Sequence, residues 1–172
     1  VFANKTTVEK LTAANATNSL TLGTKASDTG LLTVTGGTGD DTINAASFDT
    51  ALEINAGSGD DVITAQSGAL DLNVDAGAGD DSITVTGSTF AAADTVTGGA
   101  GTDTVTLSGA ATLADADFAN KTTVEALTAA NATNSLTLGT KASDAGFTIV
   151  TGGTGDDTIN ASSFDTALEI NA

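Results

Sequence analysis

Short runs of alternating apolar and polar residues recur along the 172-residue chain, and Gly, Ala, Ser, Asp or Asn residues bound each run. Thr, Val, Ile and Leu dominate the runs. Alternation with a period of two is typical of strands that bury one face, and β-branched residues suit such strands. The predicted strands of the first part of the chain are residues 7–12, 19–22, 31–35, 42–45, 51–55, 62–64, 70–74, 82–86, 94–97 and 104–107.

One nine-residue phrase, GGTGDDTIN, stands between pairs of these strands. It occupies residues 36–44 and recurs unchanged at residues 152–160, and edited copies begin at residues 56, 76 and 98. Glycine allows positive φ angles and close approach of neighbouring backbones, and aspartate offers hard oxygen ligands. A fixed period of such units is the mark of a repeat architecture.

A longer repeat overlies the phrase, because residues 2–56 match residues 118–172 at 49 of 55 positions, with an offset of 116. The chain is thus about one and a half copies of a 116-residue unit, which is expected of a piece of a longer array. We divide the interval between the last two phrases into coils of 32 and 22 residues, with residues 130–134 as a turn that lacks a carboxylate. The extra length lies in residues 108–122, where Thr112 could cap a short helix.

Turns of five or more residues at a period near 20 favour successive parallel coils over hairpins with two-residue turns. We therefore expect one continuous, right-handed parallel β-solenoid (a β-roll or β-helix) over residues 1–172. It would have roughly eight coils, about 20 residues and two strands per coil, and a length of about 40 Å. The expected core is Ile43, Leu52, Ile54, Ile63, Leu70, Leu72, Val74, Ile83, Val85, Val96, Val105 and Leu107, with their copies.

The charge is strongly acidic, with 22 acidic residues against five basic residues and a net charge of −17. This balance argues against nucleic acid, whose binding requires Lys and Arg at the phosphates, and against anionic membrane surfaces. Although acidic chains with few aromatic residues are often disordered, 40% of these residues are hydrophobic and lie in ordered runs. No run approaches the length of a membrane-spanning helix.

Stacked coils lie about 4.8 Å apart, so the aspartates of successive phrases would form a column of like charges on one edge. Such charges repel unless cations lie between them. Calcium suits the site, since it takes six to eight oxygen ligands, including carboxylates and backbone carbonyls. Zinc is disfavoured because the chain has no His or Cys, and magnesium demands a tighter octahedron.

The phrase resembles the RTX, or haemolysin-type, calcium-binding nonapeptide, Gly-Gly-x-Gly-x-Asp-x-(apolar)-x. The resemblance implies that the first six residues form the calcium turn, that the last three form a strand, and that several Ca²⁺ ions lie between adjacent coils. The implied side-chain ligands are Asp41, Asp61, Asp81, Asp103 and Asp157. The residues expected to contribute mainly backbone carbonyls are Asp40, Asp60, Asp80, Asp156, Gly37, Gly39, Gly57, Gly59, Gly77, Gly79, Gly99, Gly101, Gly153 and Gly155.

RTX rolls usually carry calcium turns on both edges, whereas the opposite turns here, residues 46–50, 65–69 and 87–92, are plain. Single-edged coils are similar to those of S-layer and giant adhesin proteins, and residues 7–12 and 123–128 resemble a strand of S-layer proteins. We therefore expect a structural, extracellular, calcium-binding segment of a bacterial cell-surface filament, S-layer or adhesin stalk, whose partners are calcium and further copies of itself. The alternatives are the calcium-binding secretion or folding segment of an exported enzyme or toxin, and a ligand-binding adhesin.

Catalysis is not expected of this chain. The paired aspartates of each phrase could be read as the two carboxylates of a glycosidase, but adjacent residues entering a strand point to opposite faces. The strand glutamates Glu9, Glu53, Glu125 and Glu169 and the lysines are expected to face solvent.

Overall fold

The computed structural model describes residues 7–66 and 70–172, in which short strands alternate with turns along the whole length. Residues 67–69, part of the predicted turn 65–69, lie outside the described residues, as does the start of the predicted solenoid, residues 1–6. The elements in chain order are β1 (Lys10–Thr12), β2 (Ser19–Thr21), α1 (Thr24–Ser27), β3 (Thr33–Thr38), β4 (Thr42–Asn44), β5 (Glu53–Ser58), β6 (Val62–Thr64), β7 (Asn73–Ala78), β8 (Ser82–Thr86), β9 (Thr95–Ala100), β10 (Thr104–Ser108), β11 (Thr112–Leu113), a 3-10 helix (Asp115–Phe118), β12 (Lys121–Thr122), β13 (Ala126–Thr128), β14 (Ser135–Thr137), α2 (Thr140–Asp144), β15 (Ile149–Thr151), β16 (Thr158–Asn160) and β17 (Glu169–Asn171).

Three parallel sheets form the sides of the solenoid. Sheet A has the order β1-β3-β5-β7-β9-β12, sheet B the order β2-β4-β6-β8-β10-β13-β15-β17, and sheet C the order β11-β14-β16. The eight stacked strands of sheet B span about seven turns, or about 34 Å at the usual strand spacing. The predicted parallel β-solenoid is confirmed, with about one turn fewer than expected.

The alternating pattern forms the core by stacking like residues from coil to coil. In sheet B, Ile43 pairs with Ile63, Ile63 with Ile83, and Ile83 with Val105, and all four are buried. Every residue of the predicted core in the first copy is buried except Leu70, which is 37% exposed. No helix in the described part of the chain is long and apolar enough to span a membrane.

The strands of sheet A begin about two residues later than predicted and continue into the nine-residue phrase. In β3 and β5, for example, Gly37 pairs with Gly57 across neighbouring coils. Gly57 has φ +121°, and a Cβ there would lie 2.0 Å from the carbonyl oxygen of Gly37. Only glycine permits this contact. In the first four phrases the first three residues therefore belong to a strand, and the expectation that all six form a turn is wrong there. At the fifth phrase β15 ends at Thr151, before the phrase begins.

The second copy of the 116-residue unit is displaced by one side of the solenoid. Strand β1 pairs with β3 in sheet A, whereas its copy β13 pairs with β10 in sheet B. Likewise β2 and β4 lie in sheet B, whereas their copies β14 and β16 lie in sheet C. The coil that passes through β9, β10 and β11 has three strands, whereas the coils of β13–β14 and β15–β16 keep the expected two strands, on sheets B and C.

The cause of the displacement is the path of residues 108–122. This segment forms β11 on sheet C, the 3-10 helix, and β12 on sheet A, so the chain passes two sides before β13, the copy of β1, begins on sheet B. Thr112 lies in β11, and Ala114 precedes the 3-10 helix, so Thr112 is not its N-cap. The predicted coil of 32 residues is wrong, whereas the predicted coil of 22 residues is confirmed, because the turn of residues 130–134 stacks on the phrase at residues 152–160. The N–H of Asp103 donates to Glu125, 22 residues later, and the N–H of Thr148 donates to the carbonyl of Glu125.

Three side chains of this segment join the two copies. Asp115 accepts the N–H groups of Gly139 and Ala142 through Oδ1, at 2.8 and 3.0 Å, which caps the start of α2. Phe118 makes edge-to-face contacts with aromatic rings on either side. Lys121 was expected to face solvent but is buried, with Nζ 4.6 Å from the ring centre of Phe90. Burial lowers the pKa of Lys121 to about 8.

Candidate metal sites

Four of the predicted aspartates form a buried column on the edge between sheets A and B. The backbone N–H of Asp41 donates to Oδ1 of Asp61 at 2.7 Å. The same contact joins Asp61 to Asp81 at 2.8 Å and Asp81 to Asp103 at 2.9 Å. Each of these side chains is at most 2% exposed. The parallel register thus brings together four carboxylates that lie 20 to 22 residues apart in the sequence.

The second oxygen of each carboxylate has no hydrogen-bond partner. Among the described residues, the buried oxygens without a partner include Oδ2 of Asp41, Asp61, Asp81, Asp103 and Asp157. An isolated buried carboxylate oxygen is unfavourable unless a cation or a donor reaches it. These are the five aspartates predicted as side-chain ligands.

The pKa values of the column aspartates also show that their charged form is unfavourable in the folded chain. Burial raises the pKa of Asp61 and that of Asp103 from 3.8 to about 6, and the charges of neighbouring carboxylates add to the effect. Burial likewise raises the pKa of Asp81. Without a cation, the folded chain therefore resists full ionisation of the column near neutral pH.

At the first and fourth phrases, a backbone carbonyl oxygen of the next coil lies near Oδ2 of the aspartate. A Cβ on Gly36 would be 2.5 Å from Oδ2 of Asp41 and 2.3 Å from the carbonyl oxygen of Ala56 in the next coil. A Cβ on Gly98 would meet Oδ2 of Asp103 at 2.5 Å in the same way. No three acidic side chains within residues 7–66 and 70–172 are grouped to hold a metal ion by themselves. These turns bring carboxylate and carbonyl oxygens together, and this donor set fits calcium.

The outer aspartates of the phrases brace the turns. Asp40, Asp60 and Asp80 are exposed, and their Oδ1 atoms accept backbone N–H groups of the next coil, at 3.0 Å from Asp60, 2.9 Å from Asp80 and 2.8 Å from Thr102. These carboxylates point away from the buried column. Asp156 is exposed as well.

The fifth phrase lies on a different edge, between sheets B and C. Asp157 falls between β15 and β16, and its Oδ1 accepts the backbone N–H of Asn134 at 2.8 Å. The turn of residues 130–134 therefore stacks on the fifth phrase and is not part of the first column. The expected single edge is corrected to two edges, because the second copy is displaced by one side.

Three residues at the column ends were not predicted as part of the sites. Glu125 was expected to face solvent, but it is half-buried and its Oε2 accepts the N–H of Asp103 at 2.8 Å. Its spacing of 22 residues from Asp103 equals the coil length, which was the one available signal. At the other ends, Asn18 donates its backbone N–H to Oδ1 of Asp41 at 2.7 Å, and Asn134 does the same to Asp157.

Comparison with known proteins identifies one family. Residues 33–49, 53–69, 90–109 and 144–164 match the RTX calcium-binding nonapeptide repeat in four copies. The phrase at residues 76–84 falls outside these segments, although β7 pairs in register with β5 and β9 on either side. A search of curated proteins and a search of solved structures each found no significant match.

Proposed function

Because the chain belongs to the RTX calcium-binding nonapeptide repeat family, we propose that this calcium-binding β-solenoid is a segment of an extracellular filament, S-layer or adhesin stalk that folds and stiffens on calcium binding. The observation that carries the proposal is the junction of the two copies. Strand β13 of the second copy pairs directly with β10 of the first, so the copies share one sheet.

The proposed side-chain ligands are Asp41, Asp61, Asp81, Asp103 and Asp157, through their unpartnered Oδ2 atoms. The carbonyl oxygens of the glycine-rich turns, with those of the next coil, complete the set. Bound calcium supplies positive charge between the oxygens of adjacent coils. Asp41 bridges two coils, because Oδ1 accepts the N–H of Asn18 in the preceding coil while Oδ2 lies near the carbonyl oxygen of Ala56 in the next coil.

Folding is then coupled to the metal. In the unfolded chain the acidic residues are hydrated and far apart, whereas the folded chain brings buried carboxylates into one column at a net charge of −17. A ligand that binds only the folded form stabilises it. We expect the β-type circular dichroism signal to be lost in excess EDTA and restored by calcium. Retention of the full signal in EDTA would contradict the mechanism.

The geometry of the copies favours a rod. The step from Asn18 to Glu125 passes five turns in 107 residues, so a 116-residue unit adds slightly more than five turns, or about 25 Å. Because the second copy is displaced by one side, the calcium edges of successive units would lie on successive sides of the rod. Such an arrangement distributes the stiffening around the filament.

The second candidate function is the secretion or folding segment of an exported bacterial enzyme or toxin. The family membership supports it, since RTX repeats are typical of secreted bacterial proteins. The near-identical 116-residue copies favour the filament, because a secretion segment needs only one short roll. The open reading frame of the source gene distinguishes the two functions: tandem copies support the filament, and a catalytic domain supports the segment.

A direct experiment measures length in solution. Small-angle X-ray scattering of this chain, and of a chain extended by one 116-residue unit, should show a rod that lengthens by about 25 Å in calcium. Immunogold labelling of intact source cells with an antibody to the chain should mark the cell surface. A compact particle in calcium, or label found only inside permeabilised cells, would contradict the filament.

A further inference from the structure

The turns of residues 14–18 and 130–134 lack the ligand aspartate, yet they contain a complete set of oxygen atoms around one side-chain amide. Nδ2 of Asn134 donates to the carbonyl oxygens of Ala130 at 2.9 Å and Ala132 at 2.8 Å. It also lies 3.3 Å from the carbonyl oxygen of Gly152 and 2.8 Å from Oδ1 of Asp157, both in the next coil.

The first copy repeats this arrangement at Asn18. Its Nδ2 donates to the carbonyl oxygens of Ala14 and Ala16, to that of Gly36, and to Oδ1 of Asp41. The two asparagines thus contact the same four kinds of oxygen: the carbonyls four and two residues earlier, a glycine carbonyl of the next coil, and its aspartate. The recurrence in two copies on different edges shows that the contact set belongs to the turn.

Register places the same oxygens around each ligand aspartate. Ala14 packs against Gly37 and Ala16 against Gly39, just as Gly37 packs against Gly57 in the following coil. Asn18 therefore stands at the position of Asp41, one coil earlier. Around Asp41, the counterparts of the Asn18 acceptors are the carbonyls of Gly37 and Gly39 and the oxygens of the next coil.

The difference between the two kinds of turn is one atom. Oδ1 of Asn134 accepts the N–H of Ala111 at 3.1 Å, as Oδ1 of Asp61 accepts that of Asp41. This contact orients the amide, because it leaves Nδ2 as the end that faces the four oxygens. In the aspartate turns, Oδ2 takes the place of Nδ2, and an acceptor then faces acceptors. The result is an unpartnered oxygen at each of the five proposed ligand aspartates and a hydrogen-bonded amide at both asparagines.

We propose that the side-chain amides of Asn18 and Asn134 take the place of calcium, so that each column of calcium turns begins with a turn that closes without metal. This inference rests on the proposed calcium sites. The consequence is that each 116-residue unit contains two kinds of turn, one that closes without metal and others that close with calcium. The amide-closed turn provides a metal-independent first layer, on which the aspartate turns stack as calcium arrives.

The test converts an amide-closed turn into a calcium turn. Asn134→Asp is expected to bind one more calcium ion per chain than the wild type, measured by isothermal titration calorimetry and by equilibrium dialysis with radioactive calcium. The matched control is Asn131→Asp, in the same turn. Asn131 is exposed and its Oδ1 accepts the N–H of Thr154, so this change adds the same charge outside the oxygen set. The control is expected to leave the stoichiometry unchanged.

A second variant covers the case in which Asn134→Asp folds poorly. Asn134→Ala removes the donor and supplies no ligand, so we expect unchanged calcium stoichiometry and a lower unfolding temperature in saturating calcium. Unchanged stoichiometry in Asn134→Asp, or wild-type stability in Asn134→Ala, would overturn the inference. A wild-type chain that binds no calcium would instead refute the proposed function, so the two failures are distinguishable.

Discussion

Replacing Asp61 with asparagine changes one atom of the second calcium turn. Oδ1 of Asp61 accepts the N–H of Asp41 at 2.7 Å, whereas Oδ2 is buried without a partner. In Asp61→Asn the amide oxygen keeps the first contact, and the NH₂ group replaces the unpartnered oxygen, as in Asn134. We expect this variant to lose only the site served by Oδ2. Asp61→Ala removes both oxygens and should weaken the two sites that border the coil.

In the absence of calcium, the charge of Asp61 determines how much the Asp61→Asn substitution changes the free energy of unfolding. Burial raises its pKa from 3.8 to about 6, so ionisation at neutral pH costs the folded state free energy that the unfolded state does not lose. At about 1.4 kcal/mol for each pKa unit, the upper limit is about 3 kcal/mol, and screening by solvent lowers it to between about 1 and 3 kcal/mol. Asp61→Asn should stabilise the calcium-free fold by this amount.

The assay follows refolding in EDTA at pH 7.5 by circular dichroism while trimethylamine N-oxide, which favours compact states, is added. Asp61→Asn should refold at a lower concentration of this osmolyte than the wild type. The control is Asp60→Asn, which removes the same charge from an exposed side chain and keeps an acceptor for the N–H of Asp80. Equal gains from both variants, or equal calcium losses from Asp61→Asn and Asp61→Ala, would refute the reasoning.

Three further predictions address acidity, backbone contact and the junction of the copies. Because the pKa values of Asp61 and Asp103 are raised to about 6, the ionisation penalty is complete above pH 6 and absent below about 3.8. Circular dichroism in EDTA should therefore show the fold regaining stability as the pH falls from 7 to 5, and a flat profile would contradict this. Gly57→Ala should lower stability by about 2 kcal/mol or more, measured by thermal unfolding in calcium, whereas Gly30→Ala, with positive φ but open space, should cost less. Asp115→Ala removes the cap of α2 and should cost about 1–3 kcal/mol in the same assay, and an unchanged transition would show that the cap contributes nothing.

Local chemistry accounts for the parts of the fold that the sequence predicted. Local alternation alone predicts that Ile43, Ile63 and Ile83 face the core, without reference to distant parts of the sequence. The Gly-Asp phrase likewise predicts where the chain turns between strands. The period of 20 to 22 residues then implies stacked coils and a column of aspartates. The aspartates with unpartnered oxygens were identified from the phrase alone, because each carries its own turn with it.

The side that each strand occupies depends on distances summed around a whole coil. Residues 108–122 pass two sides of the solenoid before β13, the copy of β1, begins, and neither their composition nor their number determines how many sides they pass. For this reason the predicted single calcium edge is wrong for Asp157, which lies between sheets B and C. Glu125 was missed for a related reason, since it joins the column only through the backbone of Asp103, one coil away.

The sequence by itself determined the strands, the coil period and the identity of the charged column, because these follow from spacing and residue type within a few positions. The tertiary structure decided which turns contain a buried oxygen without a hydrogen-bond partner. Asn134 looked like a missing ligand in the sequence. Only the next coil, with the oxygens of Gly152 and Asp157, shows that its amide supplies the donors that the aspartate turns lack. Whether a donor or an acceptor in that position finds a partner depends on the atoms of the coil stacked on it.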